Sequence, residues 1–251
     1  MIDLSGKSAV VTGGSRGIGR ACCLALARAG ARVCVNYRVE SPSAELAVEE
    51  IENGGGEAFA LAADVSRREE ADMLVDEVAH RFGGLDILVN NAGIWKGSPV
   101  DEMTDAEWEE TMAINMTGTF FCTRAAVPFM KSARWGRIIN ISSTAGQRGE
   151  AFHSHYAASK GAMISFTKSL AVELAPHGIT VNCVAPGWVA TDMSQESLLG
   201  PEREAILATI PLGRVARPEE IAGAVAFLAS DLASFVTGEI LNVNGGAVLV
   251  G

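Results

Sequence analysis

Thr12-Gly13-Gly14-Ser15-Arg16-Gly17-Ile18-Gly19 follows the apolar run Ala9-Val10-Val11 and opens a stretch of helical periodicity from about Gly17 to Ala29. A strand, a glycine-rich turn and a helix in that order make a phosphate cradle. The glycines permit a tight turn and close backbone approach to a pyrophosphate, and the helix start points free N–H groups at the anion. The spacing is Gly-x-x-x-Gly-x-Gly, with a wider first gap than the usual dinucleotide fingerprint.

Outward from this turn, apolar runs of strand length alternate with amphipathic stretches of helix length. Strands are predicted at Val33-Cys34-Val35, Ala58 to Leu61, Ile87-Leu88-Val89, Ile138 to Ile141, Ile179 to Val184 and Ile240 to Val243. Helices are predicted through Leu46 to Ile51, from Ser66 to about Phe82, from Thr104 onward with a weak point at Pro128, from Tyr156 to Ala175, and from Glu219 to Ser230. Ser66-Arg67-Arg68-Glu69 and Thr104-Asp105-Ala106-Glu107 read as capping boxes. Alternating strands and helices with almost wholly apolar strand interiors predict an α/β fold, a parallel sheet covered on both faces. No linker or repeat divides residues 1–251, so a single domain is expected. The stretch 188–212 breaks the rhythm and reads as a substrate lid.

The 251 residues are 48% hydrophobic and 20% charged, the balance of a folded chain. A net charge of −10 argues against general nucleic-acid binding, which needs clustered Lys and Arg. The N-terminus shows no signal-peptide pattern and no apolar run reaches a membrane span, so a cytoplasmic protein is expected. Cys22, Cys23, Cys34, Cys122 and Cys183 sit in apolar segments without zinc spacing and are expected as buried, reduced thiols. His153 and His155 are expected on a surface loop, and no metal site is predicted.

Taken together, Thr12 to Gly19, Asn90-Asn91-Ala92-Gly93 after the fourth strand, the set Asn115, Ser143, Tyr156 and Lys160, and Pro186-Gly187 followed by Thr191 resemble the motifs of the short-chain dehydrogenase/reductase family, in order and spacing across the whole chain. The resemblance implies a Rossmann-type domain with a doubly wound, seven-stranded parallel sheet. It implies a catalytic tetrad of Asn115, Ser143, Tyr156 and Lys160, and nicotinamide held by Pro186, Gly187, Val189 and Thr191. It also places Gly13, Ser15, Arg16, Gly17, Ile18 and Gly19 at the pyrophosphate, Asp64 and Val65 at the adenine, and Asn91, Ala92 and Gly93 beside the ribose. By the same resemblance Asn115 sits in a kinked helix and relays protons through a water to Lys160.

The residues support this chemistry independently. Hydride transfer to a carbonyl needs a proton for the oxygen, and a free tyrosine, with a pKa of about 10, gives and takes protons poorly near neutrality. A nearby ammonium favours the phenolate, and Tyr156 and Lys160, four residues apart, share one helix face. Ser142 competes with Ser143 for the substrate oxygen; the family spacing favours Ser143. Tyr37 stands where NAD-specific relatives carry Asp, Arg38 follows it, and no carboxylate competes before Glu40. With Arg16 in the glycine turn, two guanidinium groups suit a 2′-phosphate, which predicts NADP(H).

The chain is similar from end to end to 3-oxoacyl-[acyl-carrier-protein] reductases, enzymes of fatty acid biosynthesis, including the closing Asn242-Val243-Asn244-Gly245-Gly246. That similarity implies a homotetramer and an acidic acyl carrier protein as partner, met by Lys131, Arg134 and Arg137. A basic position after the catalytic helix reads His177 here, a departure from the carrier pattern. The alternatives are a broad carbonyl reductase or sugar/polyol dehydrogenase, its pocket lined by Trp95, Gln147, Phe152 and Trp188, and a non-catalytic NADPH-binding scaffold.

Overall fold

The structure, a computed structural model, describes residues 2–39 and 41–250. Met1, Glu40 and Gly251 lie outside the described residues, so the expectation about Glu40 rests on sequence alone. The apolar runs become β1 (Ser8–Val11), β2 (Arg32–Tyr37), β3 (Ala58–Ala62), β4 (Ile87–Asn90), β5 (Gly136–Ile141), β6 (Ile179–Pro186) and β7 (Ile240–Val243). They form one seven-stranded, wholly parallel sheet in the order β3-β2-β1-β4-β5-β6-β7.

Alternation along each strand sends neighbours to opposite faces, and both faces are dry. Ala9, Val11, Val33, Val35, Ile87, Val89, Ile139 and Val184 pack beneath α1 (Gly17–Arg28), α2 (Ser41–Asn53) and α10 (Pro218–Ala229). Val10, Cys34, Leu88, Ile138 and Val181 pack on the other side beneath α3 (Arg68–Phe82), α5 (Gly118–Ala133) and the end of α7 (Ser154–Leu174). Each fully buried Val, Leu or Ile contributes roughly 1.5–3 kcal/mol relative to exposure. The short helices α4 (Asp105–Met112), α6 (Ala145–Arg148), α8 (Gln195–Leu199) and α9 (Arg203–Ala208) complete the chain. The order reverses at β1 and β4, which opens a crevice at the carboxyl ends of the strands.

Several expectations are corrected. Ser66 does not cap α3: its hydroxyl donates to Asp64 Oδ1 at 2.6 Å, and Glu70, not Glu69, accepts from the Asp64 amide at 2.7 Å. The Thr104/Glu107 capping box forms as expected. The helix that starts there is interrupted at Ala113–Thr117, a π turn around Asn115, while α5 runs on through Pro128. Arg137 is no surface residue. It is 4% exposed and lies over the Trp135 ring at 4.2 Å, with Lys7 Nζ also 3.6 Å from that ring's centroid. All five cysteines are buried and unpaired.

Candidate active site

A cavity of about 600 Å³ occupies the crevice. Its floor is the glycine turn between β1 and α1, where Gly13 and Gly17 adopt φ of 62° and 53°, conformations a side chain disfavours. Gly19 is constrained by space instead: a Cβ there would collide with the Gly13 carbonyl and stand 2.5 Å from Asn91 Nδ2. α1 begins at this floor with no side chain capping it, so its first N–H groups remain available to an anion.

Asn36, which the sequence reading missed, clamps the turn. Its Oδ1 accepts from the Gly13 amide at 3.2 Å and its Nδ2 donates to the Ala63 carbonyl at 3.1 Å. The signal was a polar residue inside an apolar strand. Thr12 works in the same way, its Oγ1 accepting from the amides of Asn91 at 2.9 Å and Ala92 at 3.0 Å. Asn91 Nδ2 donates back to the Thr12 carbonyl at 2.9 Å. These bonds join the ends of β1, β2 and β4 into one rigid rim.

Gly13, Ser15, Arg16, Gly17, Ile18, Gly19, Tyr37, Arg38, Asp64, Val65, Asn91, Ala92, Gly93, Tyr156, Lys160, Pro186, Gly187, Val189 and Thr191, all singled out from sequence, line this one cavity. Arg16 and Arg38 stand exposed at one end, with guanidinium nitrogens 3.9 Å from Asp192 Oδ2 and 3.8 Å from Asp64 Oδ2. Asp64 is therefore already engaged by Arg38 and Ser66.

At the other end β5 runs into Ser142 and Ser143. Ser142 also borders the cavity, but its hydroxyl is committed to the Lys160 carbonyl, to which it donates at 2.9 Å. Ser143 lines the cavity with Tyr156. Burial pushes the Tyr156 phenol up to about 12, partly offset by hydrogen bonding with Ser143, while the Glu150 carboxylate pushes the same way as burial. Burial brings the Lys160 ammonium down to about 8. The expectation that Lys160 lowers the Tyr156 pKa is not met in the chain by itself. Lys160 Nζ is 5.8 Å from the phenol ring centroid and donates to the Ile141 carbonyl at 2.7 Å.

Asn115 does not line the cavity; it is wholly buried behind the wall. Its Oδ1 accepts from the Ile94 amide at 2.8 Å, and its Nδ2 donates to the Ile94 carbonyl at 3.0 Å and to Ser159 Oγ at 3.1 Å. A Cβ on Gly93 would stand 3.2 Å from Asn115 Oδ1 and 3.5 Å from Lys160 Nζ, so the π turn seats Asn115 against the wall beside Lys160.

The substrate end differs from expectation. Trp95 and Trp188 line it, but Gln147 is drawn off to Asn242 at 2.7 Å and Phe152 is exposed outside. His153 is no free loop residue: it stacks on Trp95 with centroids 4.5 Å apart. His155 is wholly buried with neither ring nitrogen bonded. Arg148, Gly149 and Glu150, unremarked in the sequence, line this end. Among the described residues no cluster is suited to a metal ion.

Residues 13–248 match a family model described as Enoyl-(Acyl carrier protein) reductase. The chain belongs to the short-chain dehydrogenase/reductase family. A 3-oxoacyl-[acyl-carrier-protein] reductase of Synechocystis sp. is 45% identical over 250 residues, covering 99% of this chain and 100% of that protein. One from Staphylococcus aureus is 45% identical over 240 residues, covering 96% and 97%. A dehydrogenase/reductase structure from Sinorhizobium meliloti superposes with a TM-score of 0.93 at 43% identity, covering 99% of this chain and 97% of that one. Membership in the short-chain dehydrogenase/reductase family makes the protein an oxidoreductase that works with a nicotinamide cofactor, and the glycine floor fits such a group because Gly13, Gly17 and Gly19 line the cavity where α1 begins without a side-chain cap, leaving N–H groups for a pyrophosphate. Among the described residues, no helix of this family member is long and apolar enough to cross a membrane.

Proposed function

We propose that the protein reduces the 3-oxo group of an acyl chain to an alcohol with NADPH, as a cytoplasmic 3-oxoacyl-[acyl-carrier-protein] reductase. The observation that carries this reading is the placement of Ser143 and Tyr156 on one wall of the cavity, with Lys160 buried beside them. A nicotinamide cofactor held along the glycine floor would supply the hydride for the carbonyl carbon. Ser143 holds the carbonyl oxygen by donating to it. Tyr156, kept protonated by its raised pKa, gives its proton to that oxygen as negative charge develops there. The ammonium of Lys160 stabilises the phenolate left behind. Asn115 acts through Ile94 and Gly93, fixing the wall beside Lys160.

Arg16 and Arg38 flank the end where a 2′-phosphate belongs, with Tyr37 in place of a competing carboxylate, which supports NADPH over NADH. Residues 188–212 act as a lid; Trp188, Val189, Thr191, Asp192 and Met193 of that stretch already wall the cavity. Exposed Trp108, Phe120 and Val172 on α4, α5 and α7, with Leu249 and Val250 near the C-terminus, support assembly into a homotetramer. The exposed Arg134 and the nearby Lys131 are the remaining candidates for an acyl carrier protein. A second reading, a carbonyl reductase of small free substrates, is favoured by Trp95 and Trp188, which meet edge-on at 5.8 Å.

The test is turnover with NADPH and NADH on a carrier-bound 3-oxoacyl substrate, on a free 3-oxo ester and on a sugar. Preference for NADPH and for the 3-oxo compounds is expected. Absence of turnover on all of them, with cofactor bound, leaves the non-catalytic scaffold.

A further inference from the structure

The substrate end carries a carboxylate that the chemistry above does not use. Glu150 lies just before the catalytic helix and lines the same cavity as Ser143 and Tyr156. Its position is fixed: Trp95 Nε1 donates to Glu150 Oε1 at 3.3 Å, and His153 Nδ1 lies 3.7 Å from the same oxygen. His153 is fixed too, stacked on Trp95 and held by its Nδ1 at 3.0 Å from the Ala151 carbonyl. The segment is tied to the opposite wall by the Ser98 amide, which donates to the Phe152 carbonyl at 2.7 Å.

Beyond the buried Lys160, Glu150 and Arg148 bring opposite charges to this end, but they do not act equally. The Glu150 side chain is only 27% exposed, whereas Arg148 points into solvent. Water screens an exposed guanidinium far more than a half-buried carboxylate. Beside Trp95, whose indole N–H donates to Glu150, the carboxylate is thus the less screened of the two, and its charge also opposes ionisation of Tyr156.

We propose that Glu150 determines specificity by charge: it selects neutral 3-oxo compounds, esters and thioesters, and rejects those bearing a free carboxylate. The inference rests on the carbonyl-reductase reading and names the substrate class for it. A 3-oxo thioester meets the two indoles with its uncharged chain. A free 3-oxo acid brings its carboxylate towards Glu150, in a space where like charges repel strongly.

The test compares kcat/KM for ethyl acetoacetate and for acetoacetate, which share one skeleton and differ in charge, with NADPH near neutral pH. In Glu150→Gln the amide oxygen still accepts from Trp95, and the ratio of acetoacetate to ester should rise by about tenfold or more over wild type. Glu150→Asp keeps the charge and should keep most of the discrimination. In the wild-type enzyme, added salt should raise the same ratio, a measurement that stands even if Glu150→Gln folds poorly. Turnover of the ester with a ratio unmoved by both Glu150→Gln and salt overturns the charge filter and leaves the carbonyl-reductase reading intact. Failure of the wild-type enzyme to reduce either compound with NADPH or NADH overturns both.

Discussion

Lys160 Nζ donates to the main-chain carbonyl of Ile141 at 2.7 Å, from a residue only 4% exposed. The bond ties α7 to the end of β5, beside the serine pair. It does not compensate fully for burial, which brings the ammonium down from 10.5 to about 8. Between those values the unfolded chain binds the proton and the folded chain releases it, so this group makes stability rise with pH across that window. Below about 8 the cost is present in full.

Lys160→Met should therefore stabilise the cofactor-free protein at pH 7. The relief is on the order of 3 kcal/mol, less about 1 kcal/mol for the lost bond to Ile141. The gain in Tm over wild type should shrink as pH rises towards 10, the variant remaining inactive throughout. A Tm difference that stays constant with pH would show that burial of this charge is not what the substitution relieves.

Tyr156→Phe removes the proposed proton donor and keeps the ring against the wall. Turnover should fall by about 10²–10⁴-fold, the usual worth of a positioned acid, with cofactor affinity retained. Ser143→Ala should lower kcat by a smaller factor, because the phenol still finds the oxygen. Ser142→Ala should instead reveal itself in thermal stability, since its hydroxyl is spent on the Lys160 carbonyl. Equal kcat losses in the two serine variants would contradict this division.

Much of this architecture was legible because it rests on short-range rules. The seven strands were readable as apolar runs, and the glycine turn as a local motif between a strand and a helix. What could not be read depended on competition between distant partners. Ser66 has the residue type of a helix cap, but Asp64 takes its hydroxyl first. Arg137 looks like a surface cation until β5 carries it beneath Trp135. The π turn at Asn115 follows from bonds to Ile94 and Ser159, residues far off in the chain. His153 and Glu150 have no local signature either; Trp95, brought over from the loop after β4, gives both their role.

Arg38 offers the direct test of cofactor choice. Its side chain is exposed beside Asp64, and nothing in the core depends on it. Arg38→Asp places a carboxylate where a ribose 2′-hydroxyl can donate and where a 2′-phosphate is repelled. The ratio of kcat/KM for NADPH to that for NADH should fall by about 10²-fold, with Tm unchanged to within a degree or two. Wild-type protein that uses NADH as well as NADPH would remove the basis for the assignment.

The proposed carrier-docking face is narrower than the sequence suggested. Arg134 ends α5 in a left-handed conformation, φ 52°, with its guanidinium donating to the Pro176 carbonyl at 3.2 Å on an exposed edge. Arg137 is buried, so Arg137→Glu should unfold or destabilise the chain, and loss of activity there says nothing of docking. Arg134→Glu, at an exposed position, should keep the fold. An acidic carrier approaching a protein of net charge −10 depends on such a local cation, and the dependence is steepest at low salt. Arg134→Glu should raise KM for a carrier-bound 3-oxoacyl substrate by about tenfold at low salt and less at high salt, while kcat/KM for a free 3-oxo ester stays near wild type. Equal losses on both substrates would point to a folding defect. No loss on either would detach this edge from the carrier and favour the reductase of small, free carbonyl compounds.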